Sequence, residues 1–265
     1  MKKNVLIRSI CTCLAVCVFA GMAMASGSST TKETGSVTVG DNATKETEET
    51  TKATEAKAEY EITHTTFIHY TNSIDKEEYC GIVEIKNTGS SYIYLKDCTF
   101  DFEDDEGHLL QADKMISNAP DVIAPGECGY FFNDGYLDDG VSLENGINLV
   151  PNFTVEVAKK GKDAIVDYEV TDLDIRDNDY GIGVKVTGRV TNNTSEDTSS
   201  IDVKIIAIFF DSNGEILDVG YCYADEMSAG GKASFEVSTM FGNSEFSVED
   251  VAEYKVIARN SYYNW

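Results

Sequence analysis

The segment Tyr180-Gly-Ile-Gly-Val-Lys-Val-Thr-Gly-Arg-Val-Thr-Asn192 decides the fold class. Alternation with a period of two places successive side chains on opposite faces of a β-strand, so the segment predicts a strand with one buried and one wet face. After Ala58 the whole chain continues in short alternating runs broken by Asn, Asp and Gly, which is typical of an antiparallel all-β protein. The apolar positions of the segment are Ile182, Val184, Val186 and Val190, and the polar ones are Lys185, Thr187, Arg189 and Thr191.

The two halves of this β region repeat one another at a spacing of a little over a hundred residues. Matches that keep their order at a nearly constant offset indicate an internal duplication. The matching pairs are 60–63 with 168–171, 83–88 with 188–193, 102–107 with 209–214, 124–126 with 229–231, and 157–159 with 257–259.

Each copy offers about seven strands in about a hundred residues, which predicts two tandem immunoglobulin-like antiparallel β-sandwiches, with a barrel as the alternative. We place the domains at 59–160 and 163–265, separated at Lys160-Gly161-Lys162. Each copy is expected to fold alone, with Phe102 and Phe209 at equivalent core sites. Truncating either Phe to Ala is then expected to lower the free energy of unfolding of its own copy by about 3–5 kcal/mol. The melting temperature of that copy falls, and that of the other copy stays unchanged.

The repeated anchors resemble a known family. A strand ending in Asn-Thr, then Phe-x-Asp-x-x-Gly, then a Pro-Gly or Gly-Gly turn before an aromatic strand is similar to the FxLyD-type domains. The resemblance implies immunoglobulin-like modules of secreted or surface proteins of Gram-positive bacteria, and it covers 60–160 and 167–260. It carries over no catalytic residue. The first copy departs from the pattern by longer insertions between Leu110 and Ala124 and between Asn133 and Asn148.

The N-terminus predicts export from the cell. Lys2, Lys3 and Arg8 precede an apolar run that ends in small residues, so 1–25 is interpreted as a signal peptide cleaved after Ala25, with an uncleaved membrane anchor as the alternative. Ser26 stands where a lipoprotein requires Cys, so lipidation is disfavoured. Residues 26–58 contain no aromatic residue and no Ile, Leu or Met, and are interpreted as a disordered Thr/Glu/Lys-rich linker.

The protein is strongly acidic. Its formal net charge is −25, and cleavage after Ala25 removes three cations and no anions, which makes the charge −28. Such a surface repels nucleic acid and anionic lipid, because both bind proteins through Lys and Arg contacts to phosphate. We therefore expect no nucleic-acid partner.

No motif in the sequence indicates an enzyme. The chain has only three His residues, His64, His69 and His108, and the first two lie five apart on one predicted strand and so face opposite sides. A Gly-x-Ser-x-Gly nucleophile turn, a Gly-rich phosphate loop and a His-Glu-x-x-His zinc motif are absent from the sequence. We predict no catalytic and no cofactor-binding residue.

Four Cys residues follow the predicted cleavage site: Cys80, Cys98, Cys128 and Cys222. Alignment of the copies matches Cys98 with Ile205 and Cys128 with Ala233, which predicts that both face the core. Cys98–Cys128 is then the candidate disulfide, and buried free thiols are the favoured alternative. No Cys-x-x-Cys pair indicates a thiolate metal site.

Acidic loops leave weak calcium binding open. Calcium requires six to eight converging oxygens, but Asp177-Asn178-Asp179 lacks the EF-hand spacing, and Gly188 stands where the closing Glu would fall. Solvated turns are the favoured interpretation, and the metal ligands stay unknown. The clusters are 101–106, then Asp134 with Asp138 and Asp139, Asp172 with Asp174, and Asp177 with Asp179.

Aromatic residues are the remaining candidates for a binding surface. Phe100, Phe102, Tyr130 and Phe132 fall on the parity predicted to face the core, whereas the tail Tyr262-Tyr263-Asn264-Trp265 either completes the last strand or serves as a docking tail. The hypothesis is a non-catalytic secreted or surface module that binds an unknown protein or envelope glycan. A carbohydrate-binding or calcium-dependent adhesin module is the alternative.

Overall fold

The computed structural model describes residues 58–71, 75–114, 116–141, 143–179, 183–239 and 246–261. This part consists of β-strands and one short 3₁₀ helix, which confirms the all-β class, and none of its helices is long and apolar enough to cross a membrane. The predicted signal peptide, the linker up to residue 57 and the tail 262–265 lie outside it. The strands are β1 (Tyr60–Thr71), β2 (Glu77–Asn87), β3 (Ile93–Glu103), β4 (Leu109–Asp113), β5 (Ser117–Ala119), β6 (Cys128–Tyr136), β7 (Asn148–Val157), β8 (Glu169–Asp177), β9 (Val184–Thr191), β10 (Val203–Phe210), β11 (Ile216–Tyr223), β12 (Lys232–Ser238) and β13 (Glu253–Asn260).

The strands form four antiparallel sheets. Sheet A has the order β1-β2-β6-β5, sheet B β4-β3-β7, sheet C β11-β10-β13 and sheet D β12-β9-β8. In chain order, β8, β9 and β12 of sheet D correspond to β1, β2 and β6 of sheet A, and β10, β11 and β13 of sheet C correspond to β3, β4 and β7 of sheet B. The sequence repeat therefore coincides with a repeat of strand connectivity, and we refer to 58–160 as the first half and to 161–261 as the second half.

Each half encloses an apolar cluster of its own. Sheets A and B pack around Phe102, Phe100 and Phe131, all of which are fully buried. Sheets C and D pack around Phe209 and its neighbours. Phe102 and Phe209 occupy matching places, one in each cluster. Each stands two residues before the Asp of the repeated Phe-x-Asp-x-x-Gly motif.

A third apolar cluster lies between the halves, where sheet A packs on sheet C. We call it the A–C interface. Its existence means that sheets A and C are covered on both faces, so the expectation of one wet face fails for β2, β6 and β10. The sheets stack in the order B, A, C, D. The buried residues of the interface are Cys80, Ile82, Ala119, Tyr130, Phe132, Ile206, Ile208, Phe210, Ile216 and Val219.

The structure corrects the alignment of the two copies at one turn. The amide of Gly126 donates to the carbonyl of Asn87 at 2.9 Å, and the amide of Gly230 donates to the carbonyl of Asn192 at 2.8 Å. Gly126 therefore corresponds to Gly230 and not to Gly231. A slip of one residue reverses the face assigned to every side chain that follows it, so the facing predicted for β6 was wrong.

The last anchor and one predicted insertion are corrected in the same way. Phe102 pairs with Leu149, and Phe209 pairs with Tyr254, so Ile257, three residues after Tyr254, corresponds to Asn152 rather than to Val157. The segment from Asn133 to Asn148 is one residue shorter than its counterpart 237–253, so it is not an insertion. The segment from Leu110 to Ala124 is longer than its counterpart, and it carries β5 from the end of sheet B to the edge of sheet A.

A buried Asn fastens the same turn in each half. The side-chain amide of Asn87, which is fully buried, donates to the carbonyls of Ser91 at 2.8 Å and Ile123 at 3.0 Å. The amide of Asn192, also fully buried, donates to the carbonyls of Glu196 at 2.7 Å, Met227 at 3.3 Å and Ser228 at 3.2 Å. Each Asn thereby ties the end of one strand to the loops that follow it, and we call this arrangement the Asn clamp. It explains why an Asn stands at the end of both strands in the sequence.

The link between the halves is short and ordered. Residues Gly161–Ala164 form a 3₁₀ helix directly after the exposed Lys159 and Lys160, near the boundary expected from the sequence. Ala164 is buried beside Tyr94, Val122 and Ala158 of the first half. The link therefore packs on the first half rather than spanning open solvent.

The Asn clamps lead to a stability prediction. Asn87→Ala and Asn192→Ala are each expected to lower the free energy of unfolding by about 1–3 kcal/mol, because each removes a fully buried amide and the hydrogen bonds that it donates. Urea denaturation, followed by the far-ultraviolet circular dichroism of the β-sheets, measures the change. The exposed neighbour Asn193 provides the matched control, and Asn193→Ala is expected to change stability by less than about 0.5 kcal/mol. Equal losses in Asn192→Ala and Asn193→Ala would contradict the clamp.

Candidate functional site

Two tyrosines of β11 form a partly exposed aromatic patch. Tyr221 is 38% exposed and Tyr223 is 36% exposed, and their ring centroids lie 6.0 Å apart at an interplanar angle of 86°. The Lys204 ammonium lies 5.8 Å from the centroid of Tyr221 and 5.7 Å from that of Tyr223. We call these three residues the Tyr patch. It offers apolar area, hydroxyl groups and a cation on one surface.

The first half holds the Tyr patch in position. Phe132 meets the Tyr221 ring edge-on at 5.8 Å between centroids. The Lys204 ammonium donates to Asp121 at 2.6 Å and to the carbonyl of Asn118 at 3.1 Å. Asn118 and Asp121 belong to the insertion that carries β5, so the patch is assembled from both halves at the edge of the A–C interface.

A shallow depression lies on the outer face of sheet D. Its volume is about 470 Å³, and Phe235 and Gly188 line it together with polar side chains. The Arg189 guanidinium lies 3.8 Å from the carboxylate of Asp172 at one side. The depression is open and polar, which suits a hydrated ligand better than an apolar one.

The three histidines contact different neighbours. His64 Nε2 lies 2.9 Å from Thr66 Oγ1, and its Nδ1 lies 3.4 Å from the carboxylate of Glu215 in the second half. His69 lies 3.9 Å from Glu77. His108 lies in the turn after β3, 3.0 Å from a carboxylate oxygen of Asp104. The structure thus brings no two of them into one site.

Among the described residues, one group of His and carboxylates lies close enough to hold a metal ion: Asp104, Glu106 and His108. One oxygen of Asp104 already accepts the backbone amides of Glu106 at 2.9 Å and His108 at 2.8 Å. Asp211 makes the same turn in the second half, accepting the amides of Asn213 at 2.8 Å and Glu215 at 2.9 Å, without any His. Asp104 is therefore committed to closing the turn.

The same turn explains the Phe-x-Asp-x-x-Gly signature. Gly107 and Gly214 adopt φ angles of +82° and +84°, a conformation that side chains with a Cβ disfavour. Hydrogen bonds from the backbone amide of His108 to Asp104 and of Glu215 to Asp211 lower the pKa of each carboxyl. The motif is thus a turn in which a carboxylate replaces the missing backbone acceptors.

The other predicted acidic clusters are divided among separate contacts. Asp139 pairs with Lys76, and Asp177 accepts the amide of Val248 at 2.8 Å. Asp179 accepts from the ammonium of Lys185 at 2.6 Å. That hydrogen bond raises the pKa of Lys185, although the side chain is nearly fully buried, which corrects the expectation that Lys185 faces solvent.

The four cysteines in the described part of the chain are free: Cys80 and Cys128 lie at the A–C interface, Cys98 packs on the core of the first half, and Cys222 packs on that of the second. Cys98 packs on the core of the first half, as expected, but Cys128 packs on the A–C interface, so the two do not form the candidate disulfide. Burial raises the pKa of Cys98 to about 12, of Cys128 to about 11 and of Cys222 to about 12, and it raises the pKa of Cys80 well above the usual value. Thiols held in the neutral form are poor nucleophiles and poor metal ligands.

The aromatic residues divide between two surfaces. Phe100 and Phe102 face the core of the first half, as predicted, whereas Tyr130 and Phe132 face the second half, which corrects the prediction for them. The sequence carried a signal for this arrangement. From Val203 to Phe210 the only residue that is not apolar is Lys204, and an uninterrupted apolar run is typical of a strand buried on both faces.

The turn carboxylates lead to a pH prediction. Because the pKa of Asp211 is lowered in the folded state, its ionised form stabilises the protein above the ordinary carboxyl pKa of about 3.9, and this stabilisation disappears as the pH falls through the lowered value. Asp211→Asn is therefore expected to lower the melting temperature at pH 7, with a deficit that shrinks between about pH 5 and pH 2. Differential scanning fluorimetry measures it. The exposed Glu226→Gln serves as control, and a deficit independent of pH would refute the carboxylate's role.

Neither family models nor curated proteins provide a match to this chain. Among solved structures, the chain is similar to red sea bream transglutaminase, with 12% identity, a TM-score of 0.22, and coverage of 74% of this chain and 30% of that chain. It is also similar to an oxalate decarboxylase, with 8% identity, a TM-score of 0.11, and coverage of 78% and 77%. The chain spans less than a third of the length of the transglutaminase. Neither likeness carries an argument about fold or activity.

Proposed function

We propose that this protein is a non-catalytic binding module, exported through its N-terminal signal peptide and composed of two tandem immunoglobulin-like sandwiches of the FxLyD type. The proposal for the fold rests on the repeated strand connectivity of sheets A and B in sheets D and C. It also rests on the paired turn motifs built around Asp104 and Asp211 and the paired clamps of Asn87 and Asn192. These are the positions that carry the family resemblance.

The observation that carries the binding function is the Tyr patch. Tyrosine contributes large contact area and a hydrogen-bonding group while losing little conformational freedom, so it is frequent where binding energy is concentrated. Here Phe132 and Lys204 already fix the ring of Tyr221. A patch that is ordered before binding loses less entropy when a partner arrives. We infer that the patch contacts a protein or a component of the cell envelope.

The chemically capable side chains support a role without catalysis. Asp104 and Asp211 accept backbone amides, and Lys185 is held between Asp179 and Glu236. The cysteine thiols are kept protonated by burial. Groups engaged in this way stabilise turns and sheets, and a general acid, base or nucleophile needs instead to face a substrate.

A second candidate function is carbohydrate binding at the depression on sheet D. Its volume of about 470 Å³ matches a small ligand, and its lining combines Arg189, Asp172 and Ser234, which offer donors and acceptors for sugar hydroxyls. Calcium dependence is the adhesin variant of this candidate.

The first prediction from this proposal concerns the Tyr patch. Tyr221→Ser combined with Tyr223→Ser is expected to weaken binding of residues 59–265 to a bacterial cell-envelope extract by about 30-fold or more, because residues at the centre of an interface contribute at least about 2 kcal/mol. Surface plasmon resonance on immobilised extract measures the change. Tyr136, 58% exposed and far from the patch in sequence, provides the control, and Tyr136→Ser is expected to bind normally. Equal binding by all three proteins would contradict the assignment.

The second prediction separates the two candidates. If the depression binds carbohydrate, a matching glycan from a panel raises the melting temperature, since a ligand that binds only the folded state stabilises it, and Arg189→Ala abolishes that rise. If calcium is required, EDTA lowers the melting temperature and calcium restores it. Melting that is unchanged by calcium, EDTA and every glycan removes this candidate and leaves the Tyr patch untouched.

A further inference from the structure

The A–C interface has the composition of a contact between permanent partners. Its centre is formed by Ile82 and Phe132 of the first half against Ile206, Ile208 and Phe210 of the second. All five side chains are buried, with exposures of 0–1% except for Phe210 at 9%. A well-packed apolar centre of this kind is typical of obligate protein interfaces.

Strand β10 makes the second half dependent on the first. Its odd-numbered residues Val203, Ile205, Ala207 and Phe209 face sheet D, and its even-numbered residues Ile206, Ile208 and Phe210 face sheet A. Removal of the first half would expose the second row to water as a contiguous apolar surface. Soluble monomers rarely expose such a surface, so sheet C requires a cover.

Charges around the interface complement one another. The Arg259 guanidinium of the second half donates to both carboxylate oxygens of Glu127 at 2.7 and 2.9 Å. Burial opposes the charged forms of both groups, but the paired hydrogen bonds outweigh it, raising the pKa of Arg259 and lowering that of Glu127. Lys204 pairs with Asp121 at 2.6 Å, where both side chains are largely buried. In both pairs the first half contributes the anion and the second half contributes the cation.

We propose that the two halves recognise each other specifically, so that they remain bound when the chain between them is cut. The A–C interface then holds the halves together, and the peptide link between them is not required for their association. The opposite faces of the stack do not compete for this contact, because they present charged residues: Lys96, Asp101 and Glu103 on sheet B, and Arg189, Lys232 and Glu236 on sheet D.

Cleavage of the intact protein tests the proposal. A protease site inserted between the exposed Lys160 and Gly161 allows the folded full chain to be cut after purification. The cut protein is expected to elute from size-exclusion chromatography as one species with the volume of the uncut protein, and to separate in denaturant. Elution of the cut protein as two smaller species in buffer would overturn the proposal.

Two sets of variants identify the contact responsible. Ile208→Asp places a charge in the apolar centre, and after cutting it is expected to release the halves, whereas Ile201→Asp, at a position 54% exposed in the same half, is not. Because Ile208→Asp can also impair folding, the pair of Asp121 and Lys204 gives an independent test. Asp121→Lys is expected to weaken association of the cut halves at least tenfold, and adding Lys204→Asp is expected to restore part of it. Absence of any restoration would exclude specific charge pairing.

Calorimetry of the uncut chain provides a second readout. Separate transitions were expected from the sequence, but the shared cluster couples the halves, so we now expect one transition that both Phe102→Ala and Phe209→Ala shift to lower temperature. Ile208→Asp is expected to divide it into two. Two transitions in the unaltered protein would show that the halves melt independently and would contradict the coupling. None of these outcomes depends on whether the Tyr patch binds a ligand.

Discussion

The structure depends on one constraint: a sheet that is apolar on both faces has to be covered on both faces. Strands β2, β6 and β10 each carry buried side chains of both parities. One row of each strand is used by the core of its own half, and the other is used by the A–C interface. The stacking of the four sheets, the place of the Tyr patch and the pairing of charges around the interface all follow from this requirement.

The two halves share matching parts, and one segment of unequal length in the first half contributes to its contact with the second. The turns at Asp104 and Asp211 and the clamps at Asn87 and Asn192 are nearly the same in both halves. The segment from Leu110 to Ala124 is different: it crosses from sheet B to sheet A and brings Ala119 into the interface and Asp121 to Lys204. An insertion that looks like a surface variation in the sequence is thus part of the contact between the halves.

Local features of the fold could be predicted from the sequence, because they depend on neighbours in the chain. The alternation in β9 and the Gly of each turn indicated strands and their ends. Facing was predicted wrongly where it depended on register: matching Gly126 with Gly231 instead of Gly230 placed Cys128 in the core and missed Phe131 as the counterpart of Phe235. The partner of a second apolar face is set by packing across the chain, and parity alone says nothing about it. The Tyr patch escaped prediction for the same reason, because Phe132 and Asp121 reach it from the other half.

The A–C interface also makes the roles of the two halves different. It joins sheet A, which contains β1, β2, β5 and β6, to sheet C, whose central strand is β10, and these two sheets are not equivalent in the two halves. If the order of the halves in the chain were exchanged, the contact would persist only if a new linker could join the end of the second half to the beginning of the first. Replacing the second half with another copy of the first would set the charged face of sheet B against Ile82 and Phe132. The two halves are therefore different components of one structure, and neither can take the place of the other.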